Sequence, residues 1–201
     1  MQVATRDLSH RFGTDPWLFR DLSVTLEPGH VYALTGPSGS GKSTLLGILA
    51  GWIEPSRGSV ERVGADRIGW VFQTPHGVAG RTAIDHVAFP LLARGLSLAD
   101  SLDEAAGILD RFGLADRAGS PFRDLSGGEG QRLMLARGLA ANPELFLVDE
   151  PTAQLDSETS KSVSKSIGAL ASENTIIVIA THDDVTRDAC TDFIDLRDYS
   201  S

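Results

Sequence analysis

Cysteine is almost absent: Cys190 stands alone among 201 residues, which excludes an internal disulfide, and no Cys/His spacing resembles a zinc site. A reducing compartment fits. Basic residues are in deficit, 18 Lys and Arg against 27 Asp and Glu, and a net charge of -9 repels nucleic-acid phosphates on average. No local basic patch offsets it, so nucleic acid is not an expected partner. No stretch approaches the roughly 18 apolar residues of a membrane span, and the opening MQVATRDLSH has neither the basic segment nor the apolar run of a secretion signal. The expectation is a cytoplasmic chain that meets a membrane only by docking onto a separate membrane subunit. Repeats and low-complexity tracts are missing too, and Pro, Gly and Ser mark turns rather than a long linker.

What remains is an ordinary globular composition, 41% apolar and 22% charged, in a length that suits one compact domain. Apolar, β-branched runs at Val24–Leu26, Val31–Thr35, Ile68–Phe72, Leu145–Val148 and Thr175–Ala180 read as strands, several continuous enough to be buried on both faces of a parallel sheet. Helices are expected between them, over Lys42–Ala50, about Asp100–Phe112, Gly128–Ala141 and Ser157–Leu170. The alternation predicts an α/β architecture. From about Pro75 to Asn142 the pattern is helical only: Leu98, Leu102, Ala105, Leu109 and Phe112 form one apolar stripe, with Ser101 and Glu104 as a candidate capping box. The division expected is an α/β core over about 1–74 and 143–201 with a helical subdomain inserted over about 75–142.

The string GPSGSGKST follows the strand VYALT and opens an apolar helix. Gly36, Pro37, Ser38, Gly39, Ser40, Gly41, Lys42, Ser43 and Thr44 thus have the G-x-x-x-x-G-K-S pattern in the strand-loop-helix context that confirms a phosphate-binding loop. Glycines let backbone N–H groups curl around an anion, and the helix N-terminus adds its positive dipole end. Lys42 supplies a charge to β- and γ-phosphates, and Ser43 a hydroxyl for Mg²⁺.

Two carboxylates, Asp149 and Glu150, end the strand LFLV. Adjacent acids repel unless a cation offsets them, and in extended chain they point to opposite sides, so Asp149 can face Mg²⁺ while Glu150 faces an attacking water. Taken alone, the pair also suits a solvated strand-end turn; the upstream phosphate loop favours the metal-and-water reading. His182 follows the strand TIIVIA at a position where α/β proteins place ligand-binding groups, although a lone histidine is as readily structural. His10, His30, His76 and His86 lack metal-ligand spacing and carry no predicted role.

Between loop and acidic pair lies LSGGEGQR, Leu125 to Arg132, which pattern alone reads either as a simple helix cap or as a second set of N–H groups for an anion. This string closely resembles the signature motif of ABC transporter nucleotide-binding domains, and the likeness runs through nearly the whole chain in the right order. The resemblance implies a P-loop NTPase core with a mostly parallel sheet, an N-terminal antiparallel β-subdomain and an inserted helical subdomain. It further implies that Phe12 stacks on adenine, that Gln73 is the Q-loop glutamine and a metal and catalytic group, and that Ser126, Gly127, Gly128 and Glu129 contact ATP. Asp149 and Glu150 match the Walker B pair, Ala153 to Asp156 the D-loop, with Asp156 at the nucleotide, and His182 the switch histidine. Departures are Phe12 for the frequent Tyr, Glu129 for the usual Gln, and Gly130, a residue that weakens a helix interior by up to about 1 kcal/mol relative to Ala.

By the same resemblance, Mg²⁺-dependent ATP hydrolysis has Glu150 as general base with Lys42, Gln73 and His182 assisting. Two copies sandwich two ATP molecules head to tail, and a transmembrane permease subunit receives the motion near Gln73, against exposed parts of 83–92. The VFQ string, RTAIDHVAFPLLARG and LSGGE look like the lipoprotein-release, macrolide-export and cell-division subfamily, implying export or, as the alternative, ATP-gated regulation without transport. With Ser201 the last residue of the sequence, the C-terminal regulatory domain of many sugar importers is not expected.

Overall fold

Two sheets organise the chain in this computed structural model, which describes residues 1–153, 155–167 and 173–200. The larger sheet is five-stranded and parallel, with β4 (Val31–Thr35), β6 (Ile68–Val71), β7 (Leu145–Asp149), β8 (Ile176–Ala180) and β9 (Asp192–Asp195) in the order β6-β7-β8-β4-β9. The unbroken apolar runs of β7 and β8 have a simple cause. Alternate side chains leave opposite faces of a strand, and both faces here are covered. Phe146, Val148, Ile177 and Ile179 enter one core cluster, whereas Leu145, Leu147, Ile176 and Val178 enter the other.

The second cluster lies between the parallel sheet, α1 (Lys42–Leu49) and a smaller antiparallel sheet built from β1 (Gln2–His10), β2 (Phe19–Leu22), β3 (Thr25–Leu26) and β5 (Arg57–Val63). The first cluster draws on α2 (Ala83–Ala93), α3 (Leu98–Arg111), α4 (Gly127–Ala140) and α5 (Ser157–Ile167). A short α6 (Asp184–Asp188) precedes β9. Among the described residues between β6 and β7 there is no strand, only an isolated bridge between Thr82 and Pro121.

Four of the five parallel strands, β4, β6, β7 and β8, and the four expected helices stand where the apolar pattern places them, with ends shifted by a residue or two, whereas the run at Val24–Leu26 joins the antiparallel sheet as β3. The expected helix 157–170 is described to Ile167; residues 168–170 lie outside the described residues. One cap is corrected. Ser101 is fully buried inside α3, and Ser97 caps the helix, its hydroxyl accepting the Asp100 N–H at 3.2 Å. The helix begins a turn earlier because Ser97 already supplies the oxygen that the first free N–H groups need. Leu98 accordingly starts the helix but stays exposed, while Ala105, Leu109 and Phe112 form the buried part of the stripe.

Candidate functional site

After β4 the chain turns through Gly36 to Gly41 and enters α1 at Lys42. Gly39 and Gly41 take φ of 80° and 95°, the left-handed backbone that glycine adopts without a steric cost. A side chain at Gly41 would also lie 3.0 Å from Leu18 Cβ, so the loop rests directly on the residue that follows the first turn of the chain. Lys42 is nearly buried, and its Nζ donates to the carbonyls of Gly36 at 3.0 Å and Pro37 at 3.3 Å. Ser43 Oγ donates to Asp149 Oδ1 at 3.0 Å.

Asp149 and Glu150 have separate partners, as expected, but strand alternation is not the reason. Glu150 leaves the strand with φ of 44°, and its N–H is held by the Ala180 carbonyl at 2.9 Å. This left-handed step leaves Asp149 at the strand end beside Ser43 and brings the Glu150 carboxylate to Lys42 and His182. Glu150 Oε1 lies 3.2 Å from Lys42 Nζ, and Glu150 Oε2 accepts from His182 Nδ1 at 2.7 Å, with side-chain exposures of 7% for Lys42 and 13% for Glu150. A hydrogen on Nδ1 leaves Nε2 of the neutral ring as an acceptor. Burial pushes the Asp149 carboxyl above its usual range, with the Ser43 hydrogen bond opposing.

These groups open onto a cleft of about 550 Å³ whose wall includes Phe12, Ser38, Thr44, Gln73 and Ala153. Gln73, Asp149, His182 and the phosphate loop come from the C-terminal ends of β6, β7, β8 and β4, four neighbouring strands. Phe12 reaches the same cleft from the antiparallel sheet. Leu18 lines it as well and was not singled out from sequence; its only signal is its place at the far side of the turn that carries Phe12.

Ser126, Gly127, Gly128 and Glu129 do not line this cleft. Ser126 is the N-cap of α4, and with Glu129 it forms a capping box: Ser126 Oγ accepts the Glu129 N–H at 3.3 Å, and Glu129 accepts the Ser126 N–H at 2.8 Å. Glu129 also takes two hydrogen bonds from Arg117, which hold its carboxyl below the usual range. Its charge is thereby paired with Arg117 while it caps the start of α4. A methyl on Gly128 would overlap Thr159, so only glycine allows this contact between α4 and α5. Asp156 is likewise outside the cleft, accepting from Thr159 N at 3.0 Å and Glu158 N at 3.1 Å as a cap on α5. Gln154, within the expected D-loop, lies outside the described residues.

A parallel sheet in which an inner strand, β4, delivers a glycine loop and helix to phosphate, with an acid pair on the next strand but one, β7, defines a P-loop nucleoside triphosphatase. The family described as ABC transporter matches residues 19–153. The chain belongs to that family and is one of its ATP-binding, ATP-hydrolysing subunits. It is 39% identical over 181 residues to the lipoprotein-releasing system ATP-binding protein LolD 1 of Rhodopirellula baltica, covering 82% of this chain and 79% of that one. It is 37% identical over 179 residues to the macrolide export ATP-binding/permease protein MacB of Rhodopseudomonas palustris, covering 82% of this chain and 27% of that longer protein. Among solved structures, a dimeric ATP-binding cassette in a post-hydrolysis state with ADP and phosphate superposes with a TM-score of 0.78 at 28% identity, over 96% of this chain and 94% of that one.

Proposed function

We propose that the chain powers export by a membrane permease through Mg²⁺-dependent ATP hydrolysis, with each ATP bound between two copies arranged head to tail. The observation that carries this reading is the convergence of Lys42, Glu150 and His182 in one cleft beside the Ser43–Asp149 pair. The donors fit a magnesium ion bound along with the triphosphate: Ser43 and Asp149 offer hard oxygens 3.0 Å apart and Gln73 an amide on the same wall. No cluster of three or more His, Cys, Asp or Glu occurs among the described residues that would hold a metal unaided. When bound, the ion offsets charge on the phosphate oxygens.

Lys42 is shared between loop carbonyls and Glu150; a triphosphate in the loop competes for its Nζ. Once Lys42 turns to phosphate, the Glu150 carboxylate is released to accept a proton from water, while the His182 Nδ1–H turns from Glu150 to donate to a γ-phosphate oxygen. Phe12 serves as the platform for adenine. Ser126 and the free N–H groups of Gly127 and Gly128 lie away from this cleft, which supports their use by the ATP of a second copy. The likeness to a dimeric cassette supports the same arrangement.

A permease is read as the second partner, its cytoplasmic helix held in a groove of about 450 Å³ between α2 and α3, where Phe89 is 68% exposed beside Val78, Leu92 and Leu98. Segment 75–142 moves as the unit that joins signature to groove. No described helix is long and apolar enough to cross a membrane, which agrees with a peripheral place on the cytoplasmic face. Export is preferred because the relatives named above serve lipoprotein release and macrolide export.

Glu150→Gln tests the core of the reading. It should lower ATP turnover by about 10²-fold or more and leave an ATP-bound dimer stable in size-exclusion chromatography. Wild-type turnover in that variant removes Glu150 as the base.

A further inference from the structure

His10 closes β1 and is 5% exposed, yet neither ring nitrogen makes a well-formed hydrogen bond, the Glu54 backbone offering only a weak contact. Buried polar groups are almost always paired, so this ring calls for a reason. Its neighbours supply one. On one side it is stacked with the fully buried Phe19, its partner in the β1–β2 register, at 6.4 Å between ring centroids. On the other it meets Phe12 edge to face, at 4.9 Å and an interplanar angle of 84°. A line of rings therefore runs from the core through His10 to Phe12, the aromatic on the nucleotide cleft. Burial lowers the His10 pKa below its usual 6.5, with the Glu54 backbone opposing only in part, which disfavours a charged ring against Phe12.

We propose that His10 is a positioning residue for the nucleobase: it anchors the plane of the Phe12 ring so that the exposed face is set for adenine before adenine arrives. This rests on the reading of Phe12 as the base platform. Phe12 is 54% exposed in a surface turn, and a side chain so placed loses rotational freedom when it stacks on a ligand. Edge-to-face contact with a ring that is itself locked on Phe19 removes much of that freedom in advance. The function belongs to the ring and its shape, because its contacts to Phe12 and Phe19 are ring to ring and neither nitrogen makes a well-formed hydrogen bond.

Steady-state ATPase kinetics of His10→Ala, His10→Leu, His10→Phe and Phe12→Ala test this, together with inhibition by inorganic tripolyphosphate, which has no base. His10→Ala and His10→Leu should raise KM for ATP by roughly 2- to 10-fold, the scale of one aromatic pair, with kcat and tripolyphosphate inhibition unchanged. His10→Phe should keep the wild-type KM. His10→Leu fills the site without a ring and stands in if the alanine variant does not fold. An unchanged KM in the leucine variant alongside a raised KM in Phe12→Ala overturns the proposal alone. Equal weakening of tripolyphosphate also overturns it, since the whole cleft has then been disturbed. An unchanged KM in Phe12→Ala removes the platform reading and this proposal with it.

Discussion

Glu150 shows how much a single backbone angle decides. Its φ of 44° places a carboxylate between Lys42 and His182 that an extended residue would aim elsewhere. The sequence pattern identified the residue by its place after a strand but not the left-handed turn, which depends on the bond from Glu150 N–H to Ala180 on the neighbouring strand. Cys190 is the opposite case, a residue whose type promises chemistry and whose surroundings prevent it. Burial raises its thiol to about 12, and its Sγ faces the Thr186 carbonyl at 3.3 Å. Since the thiolate is the reactive form, the native protein at pH 8 should react with a disulfide reagent far more slowly than the unfolded chain. Equal rates in the two states, followed by absorbance, would refute this.

At the scale of elements, α4 joins several functions in one helix. Its first turn carries the signature residues. Farther along, the buried Gln131 donates to the Phe72 carbonyl at 3.3 Å, tying the helix to the residue before Gln73. The alternatives left open by LSGGEGQR are not exclusive: the capping box uses Ser126 and Glu129, and the backbone of the two glycines remains for an anion. Gly130 sits inside the helix, where a methyl would meet Pro75 at 3.5 Å, an ordinary contact. Gly130→Ala should therefore stabilise the protein by up to about 1 kcal/mol, read as a rise of roughly 2–4 °C in melting temperature. A fall in melting temperature would mean that Pro75 cannot tolerate the methyl. The strands that escaped detection were those whose signal is weakest. RGSVERV in β5 is largely exposed, β1 is interrupted by register shifts, and FRDL in β2 and DFID in β9 are each half charged, so none presents a clean apolar alternation.

The whole molecule adds what no element contains. The order β6-β7-β8-β4-β9 makes neighbours of strands far apart in sequence, and each of β6, β7, β8 and β4 releases one part of the site at the same edge. The helices α2 and α3 leave a groove of their own, lined in part by the exposed Phe89. Phe89→Asp should abolish co-purification with the co-expressed permease while ATPase activity of the isolated subunit stays at the wild-type level; retained co-purification would place the docking face elsewhere.

By itself the sequence determined the chemistry: a glycine loop with Lys42 and Ser43, an acid pair after a strand and a histidine after another are local patterns whose physical demands are local. It also determined the alternation of buried strands and helices, because period and burial are written into the apolar residues. Tertiary structure alone decided which of these groups meet, that Glu129 is claimed by Arg117, and that a buried His10 stands behind Phe12. Those outcomes depend on strand order, on backbone angles set by cross-strand hydrogen bonds, and on packing between residues distant in the chain.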